Sequence, residues 1–147
     1  MGRIKIEFPQ HYIFKTHVKI RVTDINYGGH VGNDNVLSIM HECRLQFLQH
    51  LGFKSEIDIS ENIGIIVSDV AIQYKSESFY GDELEVRLAV DDFNEYGFDI
   101  LYQLDNLSTN KEAATGKTGV VCVDYRLKKV VNIPDILREK IKSYLKT

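Results

Sequence analysis

Between Asp34 and Leu51 apolar residues recur at helical spacing and cover too much of the helix for it to rest on a surface. Placed at about 100° per residue, Val36, Leu37, Ile39, Met40, Cys43, Phe47, Leu48 and Leu51 fill roughly half the circumference. Such a helix must be wrapped by other structure. Gly52 is a natural stop for it, since glycine takes the left-handed conformation that closes a helix end. Arg44 falls inside the apolar arc, which predicts a buried ion pair or a subunit contact.

The wrapping has to come from strands. Thr16 to Val22 alternates, with Val18, Ile20 and Val22 on one side and His17, Lys19 and Arg21 on the other. Ile63 to Tyr74 is rich in Ile and Val, and Leu84 to Val90 alternates after a turn at Gly81-Asp82. Phe98 to Leu107 and Ala113 to Arg126 read as two more strands, separated by the polar turn Ser108-Thr109-Asn110-Lys111. Pro134 opens a short amphipathic C-terminal helix at its first position. One long buried helix with four or five antiparallel strands predicts an α+β domain whose sheet curls around the helix. Short connections favour a meander. At 147 residues the whole chain, 1–147, is expected to form a single domain.

Charge and composition remove several function classes. A formal net charge of −3 supplies no basic field, so neither nucleic acid nor an anionic membrane surface is an expected partner. No apolar run is long enough to span a bilayer, and the opening Met1-Gly2-Arg3-Ile4-Lys5-Ile6 lacks a leader core. Cys43 and Cys122 read as reduced, buried residues, and no Cys/His set has zinc spacing. A cytoplasmic protein without a metal is the expectation.

The chemistry is expected where the first strand runs into the helix, at Asp24-Ile25-Asn26-Tyr27-Gly28-Gly29-His30-Val31-Gly32-Asn33-Asp34-Asn35. A helix start presents unpaired N–H groups and a partial positive charge, suited to a carboxylate or a developing oxyanion. Gly28 and Gly29 allow backbone angles closed to other residues and a close approach by a ligand. Crowding Asn26, His30 and Asp34 at such an end costs stability unless the site is used. Simpler roles compete with catalysis: Asn33 or Asp34 as a helix cap, and Asp24 as a loop tie accepting backbone amides.

This stretch resembles the hotdog-fold acyl-CoA thioesterases of the 4-hydroxybenzoyl-CoA thioesterase type. Asp24, Gly29, His30, Val31, Asn33 and Arg44 fall in register with that family's pattern. The resemblance continues through Phe79-Tyr80-Gly81-Asp82-Glu83-Leu84-Glu85-Val86 and through the segment from Thr115 to Pro134. It implies a hotdog fold: a curled antiparallel sheet around one long central helix, with a short C-terminal helix. It also implies an acyl-CoA or acyl carrier protein thioester as substrate, with coenzyme A as part of that substrate and no separate cofactor. A homodimer, or a homotetramer built from two, follows from the same resemblance.

The departures fall on the chemistry. The family's usual catalytic carboxylate is replaced by Asn26, and an amide cannot serve as nucleophile or general base. Gly32, Val36 and His41 replace the family's second Asn, its Tyr and its helix Glu. Of the Asp, Asn and His in the related plant acyl carrier protein thioesterases, only His30 is kept. Hydrolysis then calls for His30 or Asp34 as the base, since a histidine ordinarily titrates near pH 6.5. Asn26 would orient the water or the carbonyl, and amides between Gly29 and Asn33 would meet the oxyanion. Gly28, Gly29, Val31, Asn33, Val36 and Met40 are the expected substrate-binding residues, with the partner's 63–74 strand closing the acyl pocket. Lys75 and Arg87 are the cations considered for the coenzyme phosphates. The alternative is a protein that binds acyl-CoA without hydrolysing it.

Overall fold

The computed structural model describes residues 3–145; Met1 and Gly2, within the opening segment read for a leader, lie outside it, as do residues 146–147. Strand β1 (Phe14–Lys19) leads through a 3-10 turn (Val22–Asp24) into helix α1 (Asn33–His50). Strands β2 (Ile63–Tyr74), β3 (Glu83–Asp91), β4 (Gly97–Asn106), β5 (Lys111–Asp124) and β6 (Lys129–Val130) follow, and α2 (Asp135–Leu145) comes last. Every strand pairing is antiparallel, in the order β1-β3-β4-β5-β2 with β6 beside β5.

The sheet curls around α1. Ile39, Met40, Cys43, Phe47 and Leu48 on the helix pack against Val86, Leu88, Ile100, Leu104, Val120 and Cys122 from β3, β4 and β5. Burying each large aliphatic or aromatic side chain contributes about 1.5–3 kcal/mol, so this interface dominates the stability of the fold. Gly116 lets β5 come close: a Cβ there would lie 2.7 Å from the Met40 sulfur. α2 covers one end of the core with Leu137 and Ile141, and its Lys140 ammonium bonds the Leu51 carbonyl at the end of α1 at 2.6 Å. Gly52 takes φ +101°, the left-handed stop its position called for.

Several boundaries differ from the sequence expectation. The first strand ends at Lys19, and Val22 is exposed, because the buried Asp24 carboxylate accepts the Arg21 N–H at 2.8 Å and turns the chain. Leu37 is partly exposed, whereas Arg44 is buried within the apolar arc. Pro134 stands just outside α2, and its carbonyl accepts the Leu137 N–H at 3.0 Å. There are six strands among the described residues, β6 being a short hairpin return that no alternation announced. Only β3, β4 and β5 form a meander; β2 crosses to the far side of β5 and becomes an edge. That edge carries a bulge at Ser68, between Val67 and Asp69. Among the described residues no helix is long and apolar enough to cross a membrane.

Candidate active site

The loop from Asp24 to Asn33 is a tight hairpin whose backbone is largely satisfied. Asn26 N–H donates to the His30 carbonyl at 2.8 Å, and Gly29 N–H donates to the Asn26 carbonyl at 3.0 Å. Gly29 takes φ +85°, which lets the turn close. Gly32 N–H donates to the Asp24 carbonyl at 3.3 Å, and Val31 N–H to the Ser78 carbonyl at 2.8 Å. Of the amides expected to meet an oxyanion, those of Gly29, Val31 and Gly32 are therefore already used. The N–H groups of Asn33 and Asp34, in the first turn of α1, have no hydrogen bond within the described residues.

Asn26, His30 and Asp34 gather around two glycines. A Cβ on Gly28 would lie 3.2 Å from the Asn26 Oδ1 and 3.6 Å from the His30 Nε2. One on Gly32 would lie 2.7 Å from the Asp34 Oδ1 and 3.8 Å from the Asn26 Cβ. Asn26 thus stands between the other two. Its Oδ1 accepts the Gly28 N–H at 2.9 Å, an Asx turn that fixes the amide and leaves its NH2 free to meet a substrate. The helix N-cap is Gly32 and no side chain caps it, so neither Asn33 nor Asp34 plays the capping part.

The His30 ring is anchored through one of its nitrogens. Its Nδ1 lies 3.1 Å from the Val31 carbonyl, which can only accept, so Nδ1 is the donor, and in a neutral ring Nε2 is the nitrogen that holds the lone pair. The carboxylate within reach of Nε2 is that of Glu77, at 4.0 Å; Asp34 makes no ion pair with it. Both cysteines are poor alternatives. Burial pushes the Cys43 thiol up to about 12 and the Cys122 thiol up to about 11, so neither supplies a thiolate near neutral pH.

A cavity of about 280 Å³ opens beside His30. Val31, Val36, Ile39, Leu84, Leu104, Ala113 and Ala114 make its apolar wall, and Asn33, Tyr74, Lys75, Ser76, Glu77 and Ser78 its polar rim. Of the residues expected from sequence, His30, Val31, Asn33 and Val36 line this cavity. Gly28, Gly29 and Asn26 lie in the loop beside it, Asp34 lies in the first turn of α1, and Met40 is wholly buried beneath Gly116. Among the described residues no group of three or more His, Cys, Asp or Glu side chains is placed to hold a metal ion.

A family model for the thioesterase-like superfamily matches residues 20–141. The chain belongs to that superfamily. It is 20% identical to a 1,4-dihydroxy-2-naphthoyl-CoA thioesterase from Synechocystis, with a TM-score of 0.79 over 88% of this chain and 95% of that one. A gentisyl-coenzyme A thioesterase is 21% identical, with a TM-score of 0.77 over 87% of this chain and 99% of that one. A Staphylococcus aureus protein solved in complex with CoA is 15% identical, with a TM-score of 0.81 over 97% of this chain and 89% of that one. Likeness at such low identity establishes the hotdog fold.

In this thioesterase-like protein the end of β2 and the β2–β3 connection bring residues that the sequence pattern did not single out. Tyr74 donates to the Asn33 carbonyl at 2.9 Å, and Ser78 accepts from Val31 as above. Glu77 lies between two anchored neighbours. Nothing local marks these residues; a bridge between His30 and Phe79, 49 positions apart in sequence, brings them to the site. The two cations considered for coenzyme phosphates separate. Lys75 lines the cavity rim and pairs with Glu112 at 3.4 Å. Arg87 is held on the sheet by Asp105 at 2.8 Å, its guanidinium against the rings of Phe8 and Tyr12.

Proposed function

We propose that this protein hydrolyses an acyl-CoA (or acyl carrier protein) thioester to the free acid and the thiol. The observation that carries this reading is an imidazole anchored through Nδ1, with its Nε2 turned to the rim of an apolar cavity. Thioester cleavage needs a base for water, donors for the carbonyl oxygen and a dry place for the acyl group. His30 or Asp34 would be the base, the Asn26 NH2 would orient the water or the carbonyl, and the Asn33 and Asp34 amides would receive the oxyanion. Val31, Val36 and the cavity wall would hold the acyl chain, with Gly28 and Gly29 letting the thioester approach the backbone. Coenzyme A would enter as part of the substrate, with no further cofactor. Because similar structures are named for naphthoyl and gentisyl thioesters, aromatic acyl-CoAs belong among the first substrates to try.

The assembly would be a homodimer, or a tetramer of two such dimers, in the cytoplasm. β2 supports this, because among the described residues β5 is its one partner strand, and it carries exposed Ile66, Val70 and Tyr74. One observation favours a second reading, acyl-CoA binding without hydrolysis: position 26 has no carboxylate and its Oδ1 is committed to Gly28.

Thiol release from short, long and aromatic acyl-CoAs tests both readings, with wild type run beside His30→Ala, Asp34→Ala and Asn26→Asp. Turnover lost in either alanine variant supports hydrolysis with a relocated base. A silent wild type that gains activity as Asn26→Asp supports the binding protein.

A further inference from the structure

Glu77 has no role in folding that its contacts reveal. Its side chain is 64% exposed, and His30 is the one ion-pair partner within 4.0 Å among the described residues. Its backbone, by contrast, is pinned on both sides. Before it, Ser76 donates its N–H to the Ala113 carbonyl at 3.2 Å and its hydroxyl to the Glu112 carbonyl at 2.6 Å. After it, the Ser78 carbonyl accepts the Val31 N–H at 2.8 Å, and the Ser78 hydroxyl accepts from Asn106 at 3.1 Å. The two fixed neighbours hold the Glu77 backbone at the cavity rim, with its carboxylate otherwise unoccupied.

We propose that Glu77 is the water-positioning residue of this site and supplies, from the β2–β3 connection, the carboxylate that position 26 lacks. The inference rests on the hydrolytic reading above and takes His30 as its base. The 4.0 Å between the Glu77 Oε1 and the His30 Nε2 is too long for a direct hydrogen bond and suits one water touching both. That water donates one O–H to Nε2 and the other to the carboxylate, so its lone pairs face the thioester. Nε2 takes the first proton as the water oxygen bonds to the carbonyl carbon, and the C=O electron pair moves onto oxygen. When the tetrahedral species collapses, the C–S bond breaks, and the leaving sulfur takes the proton back from Nε2. The acid remains, no redox step occurs, and the Glu77 charge faces the imidazolium while it exists. Asp34 is less suited, since its carboxylate lies against Gly32 and makes no ion pair with His30.

The test is steady-state hydrolysis of the best acyl-CoA by wild type, His30→Ala, Glu77→Ala and Glu77→Gln, with formate added to Glu77→Ala. Glu77→Ala is expected to lower kcat about 10²-fold, the lower end of what a positioned proton-transfer arrangement supplies, with KM changed less than about twofold. Glu77→Gln keeps an accepting oxygen in place and should lose less, and formate should restore part of the Glu77→Ala rate. Unchanged kcat in Glu77→Ala beside an inactive His30→Ala overturns the inference and leaves the hydrolytic reading standing. A raised KM at constant kcat also overturns it, because Glu77 would then be binding substrate. Absence of wild-type turnover on every acyl-CoA overturns both.

Discussion

Arg44 reaches out of the middle of α1 to donate to the Tyr102 hydroxyl at 3.2 Å, while its Nε faces the Glu56 carboxylate at 3.3 Å. The Tyr102 and Thr118 hydroxyls share a hydrogen bond at 2.8 Å, so helix, β4 and β5 are joined by one buried polar chain. Burial raises the Tyr102 phenol above its ordinary range, which keeps it neutral and able to donate. Glu56 also takes His41 at 2.8 Å and thereby ties the segment after α1 back onto the helix.

The Arg44 side chain is 5% exposed, so removing it takes the permanent cation from the Glu56 carboxylate, which keeps only His41, and a donor from the Tyr102 oxygen. Arg44→Ala is expected to destabilise the fold by roughly 3 kcal/mol or more, the usual cost of breaking a buried pair from one side. Arg44→Met combined with Glu56→Leu should recover much of that loss, since both charges then go together. Denaturant unfolding of the two variants decides the point. Equal losses would mean that packing of the arginine stem, and not the stranded charge, sets the cost.

Gly32 and Asp34 give a way to separate the two candidate bases. Gly32 has ordinary extended angles, φ −70° and ψ 152°, so alanine there meets no backbone strain. Its methyl would instead meet the Asp34 Oδ1 at 2.7 Å and push that exposed carboxylate aside. With His30 as base, Gly32→Ala should keep kcat within a few-fold of wild type, whereas His30→Ala loses about 10²-fold or more. Parallel losses in Gly32→Ala and Asp34→Ala, with melting temperature unchanged, would move the base to Asp34.

The elements whose signal is local were readable. The β2 bounds fell where the Ile/Val run placed them, and the buried Arg44 was visible because it interrupts an apolar arc. The loop-to-helix entrance was visible because glycines and short polar residues cluster there. What escaped depends on distant pairing. The crossing of β2 to the outside of β5 leaves no periodic trace, and the early end of β1 depends on where the Asp24 carboxylate folds back. Glu77 and His30 are neighbours only because Val31 bonds Ser78 across the β2–β3 connection. His41, which stands where the family's helix Glu would, meets Glu56 at 2.8 Å, a pairing that helical spacing does not mark.

Cys43 and Cys122 are both buried, and burial raises their thiols to about 12 and about 11. The native protein should therefore resist thiolate-dependent alkylation at pH 8 and react at both cysteines once unfolded. Mass spectrometry after iodoacetamide treatment, with and without denaturant, reads the difference directly. Rapid labelling of the native protein at either position would mean that the core opens far more readily than its packing implies.

Lys117 is placed to link stability to pH in both directions. It lies on β5, bonding Asp69 beside the β2 bulge at 2.6 Å and facing Asp99 on β4 at 3.6 Å. The bond to Asp69 raises the lysine above its ordinary 10.5, and the same bond holds Asp69 below its ordinary 3.8. For the raised lysine, the stabilising contribution is full below 10.5 and disappears as pH climbs through the raised value. For the lowered aspartate, the contribution is full above 3.8 and disappears as pH falls through the lowered value. Asp99 works the other way: its burial raises it, so its charge opposes the fold near neutral pH and Lys117 offsets part of that cost. Lys117→Met should therefore lower stability between about pH 4 and 10 and converge on wild type at either extreme. The side chains are 27% and 57% exposed, so the loss should stay below about 1 kcal/mol and shrink in high salt. Melting temperatures of the two proteins across that pH range check it. A constant difference at every pH would assign the effect of Lys117 to packing instead of charge.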